Sequence, residues 1–385
     1  MDDELIYLDN AATTFPKPRE VLDEMVEQYA RYGVSPGRGG YDLAVRVEEM
    51  VQQARARVAA FFGAPDPDRV IFASNATDAL NLALQGVLQR GGHVITSELD
   101  HNSVLRPLNH LSKTLGVRVD HAGFDARGLV DPDEIASLIR PETRLVVLTH
   151  ASNVLGTLQP VEEVGRLCAE RGILFIVDAA QSAGQVPVDM RAMNASAIAF
   201  TGHKSLYGPS GTGGLVVHPD LEIQSSRFGG TGVDSKSPLQ TQEFPFRLEA
   251  GTINLMGIFG LCAGLEYIQR MGMEEIRRRE IGLLDRLTEG LLGQENIELY
   301  GAEGGVERTA VLACNVKGIH AADAAAILDG DFNIAVRAGL HCAPLCHRRL
   351  GTLEHGAVRF SIGLFNTEDH IDTAIEAMTG MARLR

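Results

Sequence analysis

The chain has 385 residues, 45% of them hydrophobic and 22% charged, with 41 glycines and no tryptophan. That balance is globular and excludes disorder, collagen-like repeats and coiled coil; at roughly 150 residues per domain it suggests two domains, with a core large enough to need no disulfide. A net charge of −15 argues against nucleic acid or an anionic membrane as the main partner.

The opening residues, MDDELIYLDNAATTFP, have neither a basic n-region nor an apolar h-region, so no signal peptide is expected. No apolar run reaches the ~18 residues of a membrane span. Five cysteines (Cys168, Cys262, Cys314, Cys342 and Cys346) are an odd, sparse set that suits a reducing compartment. A cytoplasmic enzyme is the expectation.

Along the chain, residues 42–62 space their apolar positions three and four apart and read as an amphipathic helix. RVIFAS (69–74) is a short strand, followed by the helical DALNLALQGVLQ. The alternation repeats: a strand at 93–98 and a helix near 103–115, a strand at 144–150 and the helical PVEEVGRLCAERG, then strands at 173–179, 198–202 and 213–218. Near-continuous Val/Ile/Leu runs separated by helices read as buried strands of a mostly parallel sheet. Ligands of such sheets gather beyond the strand ends. Residues 226–252 are rich in Gly, Ser and Pro, and a loop of that length tends to be functional. Helices near 255–272 and 274–293, strands near 308–316 and 356–362, and helices at 320–329 and 367–383 complete a smaller α+β unit.

Chemistry concentrates at the strand ends. In TGHKSLYGPSGTGG (201–214), Lys204 follows a strand inside a glycine-rich turn, beside Thr201 and His203, where a Schiff-base amine would sit. Asp178 ends the apolar run ILFIV, and a carboxylate there calls for a cation; a protonated pyridine nitrogen is one. Asn75, Ala76 and Thr77 open a helix whose free N–H groups favour a phosphate. His101 follows the 93–98 strand and is placed to stack on a planar ring. Taken singly, a surface lysine, two ordinary N-caps and a solvated histidine remain open readings.

Together, DNAATT (9–14), ATDALN (76–81), DHNSVL (100–105), THASNVLGT (149–157), VDAAQS (177–182), TGHKSLYGPSG (201–211), EAGTIN (249–254) and RAGLHCAPL (337–345) resemble the class V aminotransferase fold family. Within it the chain is similar to the cysteine desulfurases and selenocysteine lyases with a short catalytic-cysteine loop. The resemblance spans essentially the whole chain, in order. It implies an α/β fold of the type I pyridoxal-phosphate class, with a large doubly wound domain (20–245) and a smaller α/β domain (1–19 and 246–385) carrying the cysteine loop. It also implies a homodimer, pyridoxal 5'-phosphate as cofactor, L-cysteine or L-selenocysteine as substrate, and a sulfur-acceptor protein. Iron–sulfur cluster biogenesis is one use of such sulfur. An aminotransferase or epimerase making no use of the cysteine is the alternative.

By the same resemblance, Lys204 would carry the cofactor, Asp178 would pair with its ring nitrogen, Gln181 would bond its hydroxyl and His101 would stack on the ring. Ala76, Thr77, Thr201 and His203 would hold the phosphate, with Thr252 reaching in from the partner subunit. Asn153 would border cofactor and substrate, Ala12 and Arg337 would line the substrate pocket, and Arg359 would clamp the substrate carboxylate.

Cys342 lies in a loop after a glycine and before a proline, with His341, Arg337, Arg348 and Arg349 close in sequence. Such surroundings are expected to raise the thiolate fraction. Cys346, four residues on, is open to three readings: disulfide partner, sulfur acceptor or bystander. A metal site is not expected, because His341, Cys342, Cys346 and His347 are crowded together whereas zinc takes separated ligand pairs. Cys168, Cys262 and Cys314 read as packing residues.

Overall fold

The computed structural model describes residues 5–37, 39–233, 235–301 and 304–383. A short strand, β1 (Ile6–Tyr7), precedes two helices, α1 (Arg19–Tyr32) and α2 (Asp42–Phe61). The alternating region follows as β2 (Val70–Ala73), α3 (Ala76–Val87), β3 (His93–Ser97), α4 (Asn102–Leu115), β4 (Arg118–Ala122), α5 (Pro132–Leu138), β5 (Thr143–Thr149), α6 (Val161–Glu170), β6 (Leu174–Asp178), β7 (Ala197–Thr201) and β8 (Gly213–Val217). These strands form one seven-stranded sheet in the order β2-β8-β7-β6-β5-β3-β4, in which only β8 runs antiparallel to its neighbours.

The sheet is buried on both faces, which is why its central strands are apolar throughout rather than alternating. Along β5, Val146 and Leu148 enter one core cluster while Leu145 and Val147 enter the other, the two-residue period of a strand between helical layers. Local signals set the helix ends. Asn75 caps α3 by accepting from the Asp78 N–H, Asp131 caps α5 with Pro132 behind it, and Gly116 closes α4 at φ +72°.

No helix or strand occurs among the described residues 218–254. That segment is anchored at Glu249, whose carboxylate takes two hydrogen bonds from Arg55, at 2.7 and 2.8 Å, and one from the Phe72 N–H at 2.7 Å. Both partners of this pair are buried.

The rest comprises α7 (Leu255–Met271), α8 (Met273–Leu291), β9 (Ile297–Tyr300), β10 (Val311–Val316), α9 (Ala321–Phe332), β11 (Ile334–Ala335), β12 (Arg337–Gly339), α10 (Pro344–Arg349), β13 (Ala357–Ser361) and α11 (Glu368–Arg383). A four-stranded antiparallel sheet, β12-β13-β10-β9, carries α8, α9 and α11 over a separate core cluster. Ile6 and Leu8 belong to that cluster, and β1 pairs in parallel with β11, so the N-terminal segment packs with the C-terminal sheet. α7 lies beyond residue 245, yet Leu261, Leu265 and Ile268 join the core cluster of the large sheet. The α/β architecture expected from the sequence is the one observed.

Glu280 on α8 is 1% exposed and accepts from Gln185 Nε2 at 2.6 Å. Burial pushes its carboxyl up to about 8, against the opposing pull of Gln185 and two arginines. A carboxyl whose pKa is raised on folding contributes its full stability below the unfolded value and loses it as pH climbs toward the folded value. Glu280→Gln should therefore raise the melting temperature at pH 8.5, with the gain shrinking toward pH 5. Equal shifts at both pH values would show that Glu280 is not held neutral.

Candidate active site

The C-terminal ends of β3, β5, β6 and β7 deliver Asp100 and His101, Thr149, Asp178, and Thr201 to one side of the large sheet. With the N-terminus of α3 and the turn after β7 they enclose a cavity of about 290 Å³. Ten of the residues singled out from the sequence line it: Asn75, Ala76, Thr77, His101, Asn153, Asp178, Gln181, Thr201, His203 and Lys204.

Burial lowers the Lys204 ammonium to about 8, helped by Arg359 and Arg337 and opposed by Asp178 and Asp9. Close to neutral pH this amine spends part of its time as the free base. Asp178 is 3% exposed and accepts the Ala180 N–H at 2.9 Å. Burial raises its pKa, and among the described residues no cationic side chain comes within ion-pair distance of it. A buried carboxylate without a partner is costly. The cavity therefore presents both a demand for positive charge and an amine ready to react.

His101 caps α4. Its Nδ1 accepts from the Ser103 N–H at 3.0 Å, which leaves the proton on Nε2. Burial, then Lys204 and three arginines, lower the ring to about 4, so it is neutral. Beneath it, Asp100 is fully buried and takes hydrogen bonds from Thr96 Oγ1, Ser97 N, Ser97 Oγ and Thr149 N, all at 2.7–2.8 Å, tying the ends of β3 and β5 together. The pattern DHNSVL contains Asp100, yet only the paired strand ends explain it.

At the α3 N-terminus Asn75 takes the Asp78 N–H, which leaves the Ala76 and Thr77 N–H groups without an intrahelical partner. Asp78, which would repel an anion there, is paired with Arg227. The positive end of the helix stays available, beside Thr201 and His203. His203 is lowered to about 4 by burial, then by Lys204 and Lys17, and its buried Nδ1 is unpartnered. Its carbonyl accepts from Thr13 Oγ1, the Thr14 N–H and Lys17 Nζ, which straps the N-terminal segment over the turn preceding Lys204.

The other candidates do not line the cavity, and Arg359 reaches its wall through Asn153. Gln181 donates to the Ala11 carbonyl at 3.0 Å, and Ala12 turns back onto Asp9. Arg359 is 2% exposed, donates to Asp9 Oδ1 at 2.7 Å and to the Asn153 carbonyl at 3.0 Å, and leaves Nε unpartnered. Arg337 stands directly opposite it across β12–β13, two like charges side by side. Asp9, the carboxylate after β1, is the anchor that sequence reasoning passed over within DNAATT. Thr252 is exposed and lies outside the cavity.

Cys342 is half-buried, and its carbonyl accepts the Asn102 N–H at 2.7 Å, which places its loop beside His101. The expectation that His341 adds positive charge next to the thiol fails. His341 is buried and neutral, pushed down to about 3 chiefly by desolvation and by Arg359. Arg349 is likewise committed, to Glu98 and the Phe124 carbonyl. Cys346 is fully buried in the core cluster of the large sheet, its thiol pushed up by burial, and it forms no disulfide.

The family profile described as aminotransferase class-V matches residues 6–373. A "Probable cysteine desulfurase" of Methanothermobacter thermautotrophicus is 36% identical over 98% of this chain and 94% of its own length. One from Pyrococcus abyssi is 33% identical, covering 99% and 95%. Among solved structures, an apo cysteine desulfurase from Thermococcus onnurineus superposes with a TM-score of 0.92 at 34% identity, covering 99% of this chain and 95% of that one. The cysteine desulfurase CsdA of Escherichia coli gives 0.89 at 28%, covering 100% and 96%. With its sheet order, strand-end residues and whole-length match in agreement, the chain belongs to the class-V aminotransferase family.

Proposed function

We propose that this chain is a pyridoxal-phosphate-dependent cysteine desulfurase, converting L-cysteine to L-alanine and passing the sulfur through a persulfide on Cys342. One observation carries the reading. A single cavity joins an amine lowered to about 8 and a buried carboxylate without an ion-pair partner, and the loop bearing a half-buried cysteine is hydrogen-bonded to the residue after His101. The names of the relatives agree with it.

The residues fit the cofactor. Asp178 supplies the counter-charge for a protonated pyridine nitrogen, His101 a neutral ring, and the α3 N-terminus with Thr201 and His203 a phosphate cradle. When bound, pyridoxal phosphate supplies an electron sink for charge developing at the substrate Cα. Lys204 holds the cofactor and moves the proton at Cα. Arg359, steadied by Asp9 and Asn153, takes the substrate carboxylate. The Cys342 thiolate attacks the substrate sulfur: an S–S bond forms, the C–S bond breaks, and its electron pair stays on carbon, which is protonated to give alanine.

The same reading includes a homodimer. It is supported by Thr252, which is exposed and outside its own cavity, and by the exposed apolar side chains of Val26, Tyr29, Leu43 and Val45 on α1 and α2. It also includes work in the cytoplasm, supported by five unpaired cysteines, and delivery of sulfur to an acceptor protein for uses such as iron–sulfur cluster assembly. Among the described residues no helix is long and apolar enough to cross a membrane.

The test is an assay of the loaded protein with L-cysteine and a reductant. Equal amounts of alanine and sulfide support the reading, and pyruvate or keto-acid products contradict it. L-Selenocysteine in a parallel arm sets the chalcogen preference.

A charge-assisted hydrogen bond contributes about 1.5–3 kcal/mol. Arg359→Ala should thus raise the KM for cysteine roughly 10-fold or more while pyridoxal phosphate still binds. An unchanged KM would remove Arg359 from the substrate site.

A further inference from the structure

His341 and Cys342 are consecutive residues with positive φ, +48° and +58°, between β12 and α10. Neither is glycine, so this backbone is strained and persists only where its surroundings enforce it. From the large-domain side, Asn153 Nδ2 donates to the His341 carbonyl at 2.6 Å and the Asn102 N–H to the Cys342 carbonyl at 2.7 Å. These bonds hold the backbone of the turn. The His341 side chain is held from the other side, by groups that take no part in the reaction above.

His341 Nε2 lies 3.3 Å from the Arg337 carbonyl, and its Nδ1 lies 3.1 Å from His347 Nε2. His347 Nδ1 in turn lies 2.8 Å from Thr352 Oγ1. His347 and Thr352 are 0% and 1% exposed. The proton positions follow from the ends of this chain. A carbonyl only accepts, so His341 carries its proton on Nε2 and accepts at Nδ1. His347 must then donate from Nε2 and accept at Nδ1 from the Thr352 hydroxyl. One neutral arrangement satisfies every atom. A proton added to His341 would force His347 to carry its own proton on Nδ1, with the Thr352 hydroxyl turned to the His347 carbonyl at 3.4 Å. Burial disfavours charge on either ring, joined by Arg359 and Arg337 at His341 and by His355 at His347, and only the Arg337 carbonyl pulls the other way on His341.

We propose that His347, backed by Thr352, is a positioning residue for Cys342. By fixing the tautomer and orientation of His341 it locks the two-residue left-handed turn that holds Cys342 beside His101. The pair supplies geometry to the thiol and no charge. This inference rests on the persulfide reading for its consequence, whereas the turn itself can be probed without turnover.

Three variants test it in the cofactor-loaded protein. His347→Leu keeps the bulk and removes both polar atoms. His347→Gln keeps one donor and one acceptor at opposite ends of a neutral group. Thr352→Val keeps the shape of Thr352 and removes its hydroxyl. Two rates are measured for each: single-turnover persulfide formation with L-cysteine, and alkylation of Cys342 by iodoacetamide without substrate, both mapped by peptide mass spectrometry.

In His347→Leu the persulfide rate should fall at least 10-fold while alkylation rises at least 3-fold, because a loosened Cys342 is reachable but no longer held beside His101. The cofactor absorbance should be unchanged. His347→Gln should restore both rates to within about 3-fold of the starting protein. If His347→Leu does not fold, Thr352→Val should show the same divergence, at least 3-fold between the two rates. Unchanged rates, rates that fall together, or a Gln variant no better than Leu would overturn the proposal. If the starting protein forms no persulfide, the desulfurase reading fails by itself, and the alkylation rates alone then decide whether His347 holds the turn.

Discussion

Replacing Lys204 with alanine should leave a folded protein that no longer attaches pyridoxal phosphate covalently and produces no alanine from cysteine. Proton transfer by a placed side chain is worth roughly 10²–10⁴ in rate, and Lys204 is the amine in the cavity that can supply it. The fold should not suffer. Burial lowers the Lys204 pKa, so its proton opposes folding across the pH range below the unfolded value, and removing the group removes that penalty. The check is borohydride reduction followed by mass spectrometry, with a melting curve at pH 7. A cofactor adduct on another lysine, with turnover intact, would move the reacting amine elsewhere.

Substituting Cys342 with alanine should separate the two halves of the chemistry. Cofactor and cysteine binding should persist, because Lys204, Asp178, His101 and Arg359 provide them. Alanine formation in a single turnover should fall to near background, because no other thiol is placed to take the sulfur. Cys346 is close in sequence only. Its side chain is fully buried in the core, and burial holds it as the unreactive thiol. Cys346→Ala should therefore leave turnover within about 2-fold of the starting protein, and the double variant should match Cys342→Ala. Full turnover in Cys342→Ala would favour the aminotransferase alternative over the desulfurase.

The large sheet was legible because its strands are covered on both faces. Runs such as Leu145–Leu148 and Phe175–Val177 have no reason to be so apolar otherwise, and a carboxylate or lysine immediately after such a run stands out. Asp178, Lys204 and His101 could be read in this way, each from its place at a strand end. What the linear text hides is pairing at long range. The opposition of Arg337 and Arg359 exists only once β12 and β13 are in register, and Asp9 becomes a partner of Arg359 only when β1 returns to the C-terminal sheet. β12 is three half-buried residues long, too short for any periodicity.

The cysteine loop failed as a sequence argument for a different reason. Counting His341 among the positive neighbours of Cys342 assumes that it is solvated, but its nitrogens are spent on Arg337 and His347 inside the protein. The left-handed turn carries no glycine or asparagine at His341 and Cys342 to announce it. Charge near a thiol in sequence is a weaker guide than the side on which each charge is buried.

The most direct measurement follows the sulfur atom. The loaded protein is mixed with one equivalent of L-cysteine, quenched with an alkylating reagent, digested and examined by mass spectrometry, with alanine quantified in the same sample. The expected result is one additional sulfur on the peptide bearing Cys342 for each alanine formed, and none on peptides bearing Cys168, Cys262 or Cys314. Alanine without added sulfur on Cys342, or the sulfur found on Cys346 instead, would contradict the account.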